Sequence, residues 1–170
     1  MSLAAIETAL YSRMQAVAAT LGLNSRQVHL GIRAFADLAT LKWHGHTTAT
    51  TGRLDLWMLT CAGSRTVPAG VNGLALAYHT MQVVGYIQVD DVQKIDGGTN
   101  KIRSEVTATT QAEAFQKAIF SDYTLGGTVM NCVDHQFTLS RREIPLPDGA
   151  DPIECHYVEI SFTAIERTSY

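Results

Sequence analysis

Apolar residues recur along this chain with two different periods, and the period changes mark out the elements. Near the start, Leu3, Ile6, Leu10, Met14, Val17 and Leu21 follow one another at spacings of three and four. That spacing lines one face of a 3.6-residue period and predicts an amphipathic helix. Ser2 stands where an N-cap belongs, and Gly22 where a left-handed residue would end the helix. Glu7 and Arg13 lie off the stripe. A single stripe needs a single partner layer, so this helix is expected to pack on a sheet or another helix.

The next stretch is mixed. Val28, Leu30 and Ile32 alternate with His29, Gly31 and Arg33, which reads as a short strand, and Phe35 to Leu41 reads as a helical turn or a packed loop. His44 to Gly52 is polar and rich in threonine and predicts a mobile loop. Leu54, Leu56 and Met58 alternate with Asp55 and Trp57 in a second strand expected to end near Ala62-Gly63. From Gly63 to Gly73, Pro68, Gly70 and Asn72 predict a turn or loop.

The longest period-two run comes next. His79, Met81, Val83, Gly85 and Ile87 fall on one face, and Tyr78, Thr80, Gln82, Val84 and Tyr86 on the other. Asp90-Asp91 and Asp96-Gly97-Gly98 are expected to end it. Ile102, Val106, Ala112, Phe115 and Ile119 return to helical spacing, and Thr110 with Glu113 matches a capping box that would start the secure part of this helix. Gly126-Gly127 breaks the chain. Val129, Val133, His135, Phe137 and Leu139 predict another strand, and Pro145, Pro147, Asp148 and Gly149 a loop. In the last strand Val158, Ile160, Phe162 and Ala164 alternate with Tyr157, Glu159, Ser161 and Thr163.

The order helix, weak strand, strand, long strand, helix, strand, strand joins neighbouring strands by short links. It predicts an α+β fold, a mostly antiparallel sheet of four to five strands with two helices packed on one face. The opposite sheet face would be semi-polar, carrying Tyr78, Gln82, Tyr86, Asp134, Gln136, Tyr157 and Glu159. A face of that kind must meet water or another protein. Of these, Tyr78, Gln82, Tyr86, Gln136, Tyr157 and Glu159 are the candidate interface residues.

Composition narrows the function classes. The 170 residues suit one domain over 1–170, with loop insertions around 42–53 and 63–74. Lys plus Arg number 13 against 16 Asp plus Glu, a formal net charge of −3, which argues against a strongly basic nucleic-acid reader. Charged residues make up 17%, below the usual fraction of about 25%, in keeping with outer surface buried against other subunits. The three cysteines, Cys61, Cys132 and Cys155, are an odd set without close pairing and point to a reducing compartment. Met1 to Tyr11 has no basic n-region and reads as no secretory signal. Apolar stretches fall short of the roughly 20 residues of a membrane-spanning helix.

Candidate chemistry is sparse. His44-Gly-His46 with His29 or His79 has the residue types of a metal site, but no further ligand falls at a recognised spacing, so no metal and no cofactor are expected. Asp96-Gly-Gly-Thr-Asn-Lys101 lacks the spacing of a phosphate-binding loop and reads as a turn into a helix. There is no Gly-x-Ser-x-Gly elbow. Cys155 and His156 are strand neighbours and point to opposite faces, and Cys132 and His135 differ in parity, so buried, inert thiols are expected at both places. No catalytic residue is assigned, and the chain is expected not to be an enzyme.

The layout as a whole resembles the tail terminator, or tail completion, proteins of long-tailed bacteriophages. The resemblance is carried by the opening helix Leu3 to Leu21 and by the strand end Gly85-Tyr86-Ile87-Gln88-Val89-Asp90-Asp91 leading into a helix. It continues in Leu125-Gly126-Gly127-Thr128-Val129, which opens a strand, and in the closing strand Cys155 to Thr163. The region from His44 to Gly73 departs most and looks like inserted loops.

The resemblance implies a structural virion protein: a hexameric ring, closed head to tail, that sits on the last ring of tail-tube protein. Such a ring ends tube polymerisation and offers a joining surface to head-completion (neck) proteins, with no membrane involved. DNA would pass through its lumen without sequence-specific binding, and a mildly acidic chain suits a wall that must not hold phosphates. The loops His44 to Gly52 and Gly63 to Gly73 would order on docking. The alternatives are another neck or tail protein (adaptor, stopper or tube subunit) or a small His-dependent metal-binding enzyme.

Overall fold

A computed structural model describes residues 2–24, 26–31, 53–70, 73–89, 103–145 and 151–169. Among the described residues, seven elements run in the expected order: α1 (Leu3–Thr20), β1 (Val28–Leu30), β2 (Asp55–Pro68), β3 (Leu74–Gln88), α2 (Arg103–Phe120), β4 (Asn131–Ile144) and β5 (Ile153–Ser169). The strands form one sheet in the order β1-β2-β3-β5-β4. Only β1 and β2 run parallel, and the other pairs are antiparallel. The α+β architecture with a mostly antiparallel sheet and helices packed on it is therefore what the alternation and spacing imply.

Helix α1 buries Ile6, Leu10, Met14 and Ala18 on its stripe. Gly22 takes φ +73°, and the Leu23 amide donates back to the Ala18 carbonyl at 2.9 Å, closing the C-terminus as its position implied. Ser2 occupies the N-cap position, but its side chain makes no capping hydrogen bond. Arg13, off the stripe, reaches the other helix: its guanidinium donates to the carbonyls of Ala118, Ile119 and Asp122 and pairs with the Asp122 carboxylate at 2.9 Å. It thereby satisfies the orphan carbonyls at the end of α2.

Helix α2 differs from its expected course. It starts at Arg103, so Thr110 and Glu113 lie in its interior rather than at a cap. Its buried face is Ser104, Ala108, Gln111, Ala112, Phe115 and Ile119, while Val106 is exposed. Two polar residues on the inner face disguised the stripe: Ser104 bonds His156, and Gln111 bonds Asp55 and Trp57.

Both helices cover one face of the sheet. The core there joins their stripes to Trp57, Leu59, Met81, Val83, Val158, Ile160 and Phe162. Strand β2 contributes to both faces, since Asp55 to Leu59 are all buried. Trp57 is fully buried on the helix side, its ring 4.6 Å from that of Phe115, and its cross-strand neighbour is Gly85. A methyl at residue 85 would sit 2.9 Å from three Trp57 ring carbons. Gly85→Ala is accordingly expected to lower stability by roughly 1–3 kcal/mol in urea unfolding, because the wedged indole has no room to retreat.

The expected loop from Gly63 to Gly73 is largely strand. β2 continues to Pro68 and pairs with β3 as far as Ala75, leaving only a short connection. A bulge between Cys61 and Gly63 inserts Ala62 without a partner and reverses the facing of everything beyond it. The outer parts of β2, β3 and β5 thus form a three-stranded arm, in which Ala62 to Pro68 are exposed. The segment around 63–74, expected as a loop insertion, contributes its described strand residues to this arm. The segments containing Phe35 to Leu41, His44 to His46, Asp90-Asp91 and Asp96 to Lys101 lie outside the described residues.

Candidate functional site

The helix-free face of the sheet was the expected interaction surface, and register places its residues. Tyr86 is opposite Tyr157, Val84 opposite Glu159, and Gln82 and Gln136 flank Ser161 on β5. Tyr78, Gln82, Tyr86, Gln136, Tyr157 and Glu159 therefore share one face, as strand parity requires. They do not share one environment, because the face is divided along its length.

At one end Leu54, Leu56, Met58, Val84, Tyr86, Ile144, Ile153, Cys155 and Tyr157 form a second buried apolar cluster. Tyr86 and Tyr157 are thus core residues rather than an exposed interface, with rings 5.3 Å apart, edge to face. Burial first, and then the Glu159 carboxylate accepting its hydroxyl at 2.8 Å, push Tyr157 up to about 12. The Arg142 guanidinium lies 3.5 Å from the Tyr157 ring centroid. Both tyrosines carry a long apolar body, so alternation alone could not separate a buried from a wet position.

Toward the arm the same face turns polar. The Gln82 amide donates to Glu159 at 3.0 Å, Thr80 and Gln136 are exposed, and Tyr78 is half-buried beneath Arg65 at 4.9 Å. Asp134 does not extend this surface in register. It takes φ +56° in a bulge between Val133 and Gln136.

That bulge also changes the cysteine–histidine geometry. It turns His135 to the helix side, where its ring centroid lies 3.7 Å from that of Phe120, the two rings tilted, and its Nε2 lies 3.2 Å from the Cys132 carbonyl oxygen. Cys132 and His135 consequently lie on the same side of the sheet, against the parity expectation. The thiol is buried, and burial pushes it up to about 11, which keeps it protonated and unreactive. Cys155 and His156 do face opposite ways. Cys155 belongs to the helix-free cluster, and His156 bonds Ser104 at 2.9 Å beneath α2. Burial, reinforced by Arg141, holds His156 below its ordinary value.

Among the described residues, the two sides of the sheet end in open edges. β1 pairs with β2 only from Trp57 to Leu59, so among the described residues Thr60 to Pro68 have no strand beyond them. β4 likewise has β5 on one side and no described strand on the other. Large apolar side chains emerge near this β4 edge, at Tyr123, Met130 and Phe137.

No protein-family model matches this chain, and no curated protein matches it. The residues themselves therefore carry every functional reading. Among the described residues no three His, Cys, Asp or Glu side chains converge as metal ligands. His29 instead sits with Nε2 at 2.6 Å from the Arg26 carbonyl oxygen.

His79 is placed differently. On the helix side of the arm, its Nδ1 lies 2.6 Å from Ser64 Oγ and its Nε2 3.2 Å from Glu166 Oε2. These residues come from β2, β3 and β5, separated by up to 102 positions, and no local motif connects them. The spacing reading missed the trio, because Ser64 lay in an expected loop and only the Ala62 bulge turns it toward His79.

Proposed function

We propose that this chain is a structural subunit of the tail-terminator kind, in which copies join head to tail in a hexameric ring that caps a tail tube. The ring halts tube growth and presents a joining surface to head-completion proteins, and DNA passes through its lumen. The observation that supports this reading is that, among the described residues, both sides of one sheet end in a long strand edge with no strand beyond it. Exposed strand edges template further pairing and are ordinarily shielded. A ring in which β4 of one copy approaches the β2 arm of the next shields both at once through a head-to-tail contact. The polar half of the helix-free face mixes neutral Thr80, Gln82, Gln136 and Ser161 with one carboxylate, Glu159, and one guanidinium, Arg65, and so lacks the dense positive charge that would hold phosphates.

Sedimentation velocity and negative-stain imaging, with and without tail-tube polymers, test the reading. Rings, formed alone or on tube ends, together with shorter tubes, are the expected result. A chain that stays monomeric and leaves tube length unchanged overturns it. The length of the β2–β3 hairpin favours one other reading, a tube subunit, since tube proteins use long hairpins for stacking. That reading requires the chain to polymerise alone into open tubes.

A further inference from the structure

We propose that Ser64 is a nucleophile activated by His79 and Glu166, giving the arm an acyl-transfer activity toward small activated carboxylic esters. This goes beyond the ring reading and does not depend on it.

The chain of contacts runs from solvent into the fold. Ser64 is exposed, whereas the side chains of His79 and Glu166 are 8% and 5% exposed. When the Ser64 hydroxyl donates to Nδ1, the imidazole proton sits on Nε2, facing the Glu166 carboxylate. That is the proton arrangement a hydroxyl nucleophile needs: a base in contact, and a carboxylate that orients the ring and stabilises the imidazolium formed on proton transfer. The ring is used in the opposite sense to the familiar serine hydrolases, with Nδ1 toward the nucleophile, but the roles are the same.

Two features prepare the site for a substrate. The extra residue at the Cys61/Gly63 bulge brings Ser64 opposite His79, and bulges recur where a side chain must be re-aimed. The second is the exposure of Ser64 itself, which leaves the residue open to an incoming acyl group.

In the step, Ser64 Oγ attacks the ester carbonyl while its proton passes to His79 Nδ1. The ester C–O bond breaks, and His79 returns the proton to the departing alcohol. Water then attacks the acyl-serine by the same route and releases the carboxylic acid. Cys61 Sγ, 3.8 Å from Ser64 Oγ, is a neighbouring nucleophile that any test must separate.

The full chain is treated with a fluorophosphonate probe, in which the Oγ–P bond forms as fluoride leaves, and the modified peptide is located by mass spectrometry. One label per chain, on Ser64, is expected. Ser64→Ala, an exposed change that leaves the fold intact, removes it. Glu166→Gln slows labelling roughly tenfold or more, and Glu166→Asp, which keeps the carboxylate, recovers part of the rate. Native labelling no faster than that of the Ser64→Ala chain overturns the proposal, as does label on Cys61 or spread over exposed serines such as Ser121. Equal rates for the Gln and Asp variants remove Glu166 from the mechanism.

Discussion

Replacing Trp57 with alanine is expected to lower the unfolding free energy by roughly 3–5 kcal/mol, the largest single-residue effect anticipated here. Two losses combine at this position. The indole fills the space between α2 and the sheet, against Phe115 and directly over Gly85, and nothing nearby can collapse into a cavity of that size. Its Nε1 donates to Gln111 Oε1 at 2.8 Å, so removal also strands a buried acceptor. Most domains are stable by only about 5–15 kcal/mol, so the variant is expected near the limit of folding. Trp57→Phe separates the contributions, because it keeps most of the ring contact and loses the hydrogen bond. Chemical denaturation of both variants should rank alanine well below phenylalanine. Equal midpoints for alanine and the native chain would show that the indole is not the keystone of this layer.

The second large effect concerns pH and centres on Asp55. Its carboxylate is 2% exposed, accepts from Gln111 Nε2 at 2.7 Å through Oδ2, and has no described partner at Oδ1. Burial dominates and raises it from the ordinary 3.8 to about 6, against the opposing hydrogen bond from Gln111. A folded-state value above the unfolded one means that the folded chain holds the proton more tightly. Below about pH 4 both states are protonated and Asp55 is neutral in its effect. As pH rises from 4 to 6 the unfolded chain releases its proton first, and stability falls. Above 6 the full penalty for a buried carboxylate is present, on the order of 2–3 kcal/mol. Asp55→Asn is expected to flatten this slope, with unfolding free energies at pH 4.5 and 7.5 much closer than in the native chain. A slope of unchanged size in the variant would assign the pH dependence elsewhere.

The same buried network explains where the sequence was legible and where it was not. The α1 stripe and the alternation of β3 and β5 carried their own signal, because the residues that bury together are neighbours two, three or four positions apart. In α2 the signal failed where Ser104 and Gln111 took inward positions that hydrophobicity assigns to apolar residues. Their partners His156 and Asp55 lie 52 and 56 residues away, and long-range partners of this kind make the burial tolerable. The candidate interface divided for a similar reason. Gln82 and Glu159 stand in the polar half of the face as expected, whereas Tyr86 and Tyr157 are covered, and a tyrosine suits either setting.

Local periodicity, one stripe per helix and strict alternation in the long strands, was enough to specify two helices on one side of a mostly antiparallel sheet. Those patterns record which way each side chain points relative to its own backbone. Tertiary structure alone decided that both faces of β2 are buried from Asp55 to Leu59, that β2 runs on into an exposed arm, and that single extra residues at Ala62 and Asp134 reverse the facing of the strand residues beyond them. A bulge exists only relative to a partner strand, so no property of the bulged segment by itself announces it. Ser64, His79 and Glu166 meet for that reason, on three strands whose register is set by pairing across the whole chain.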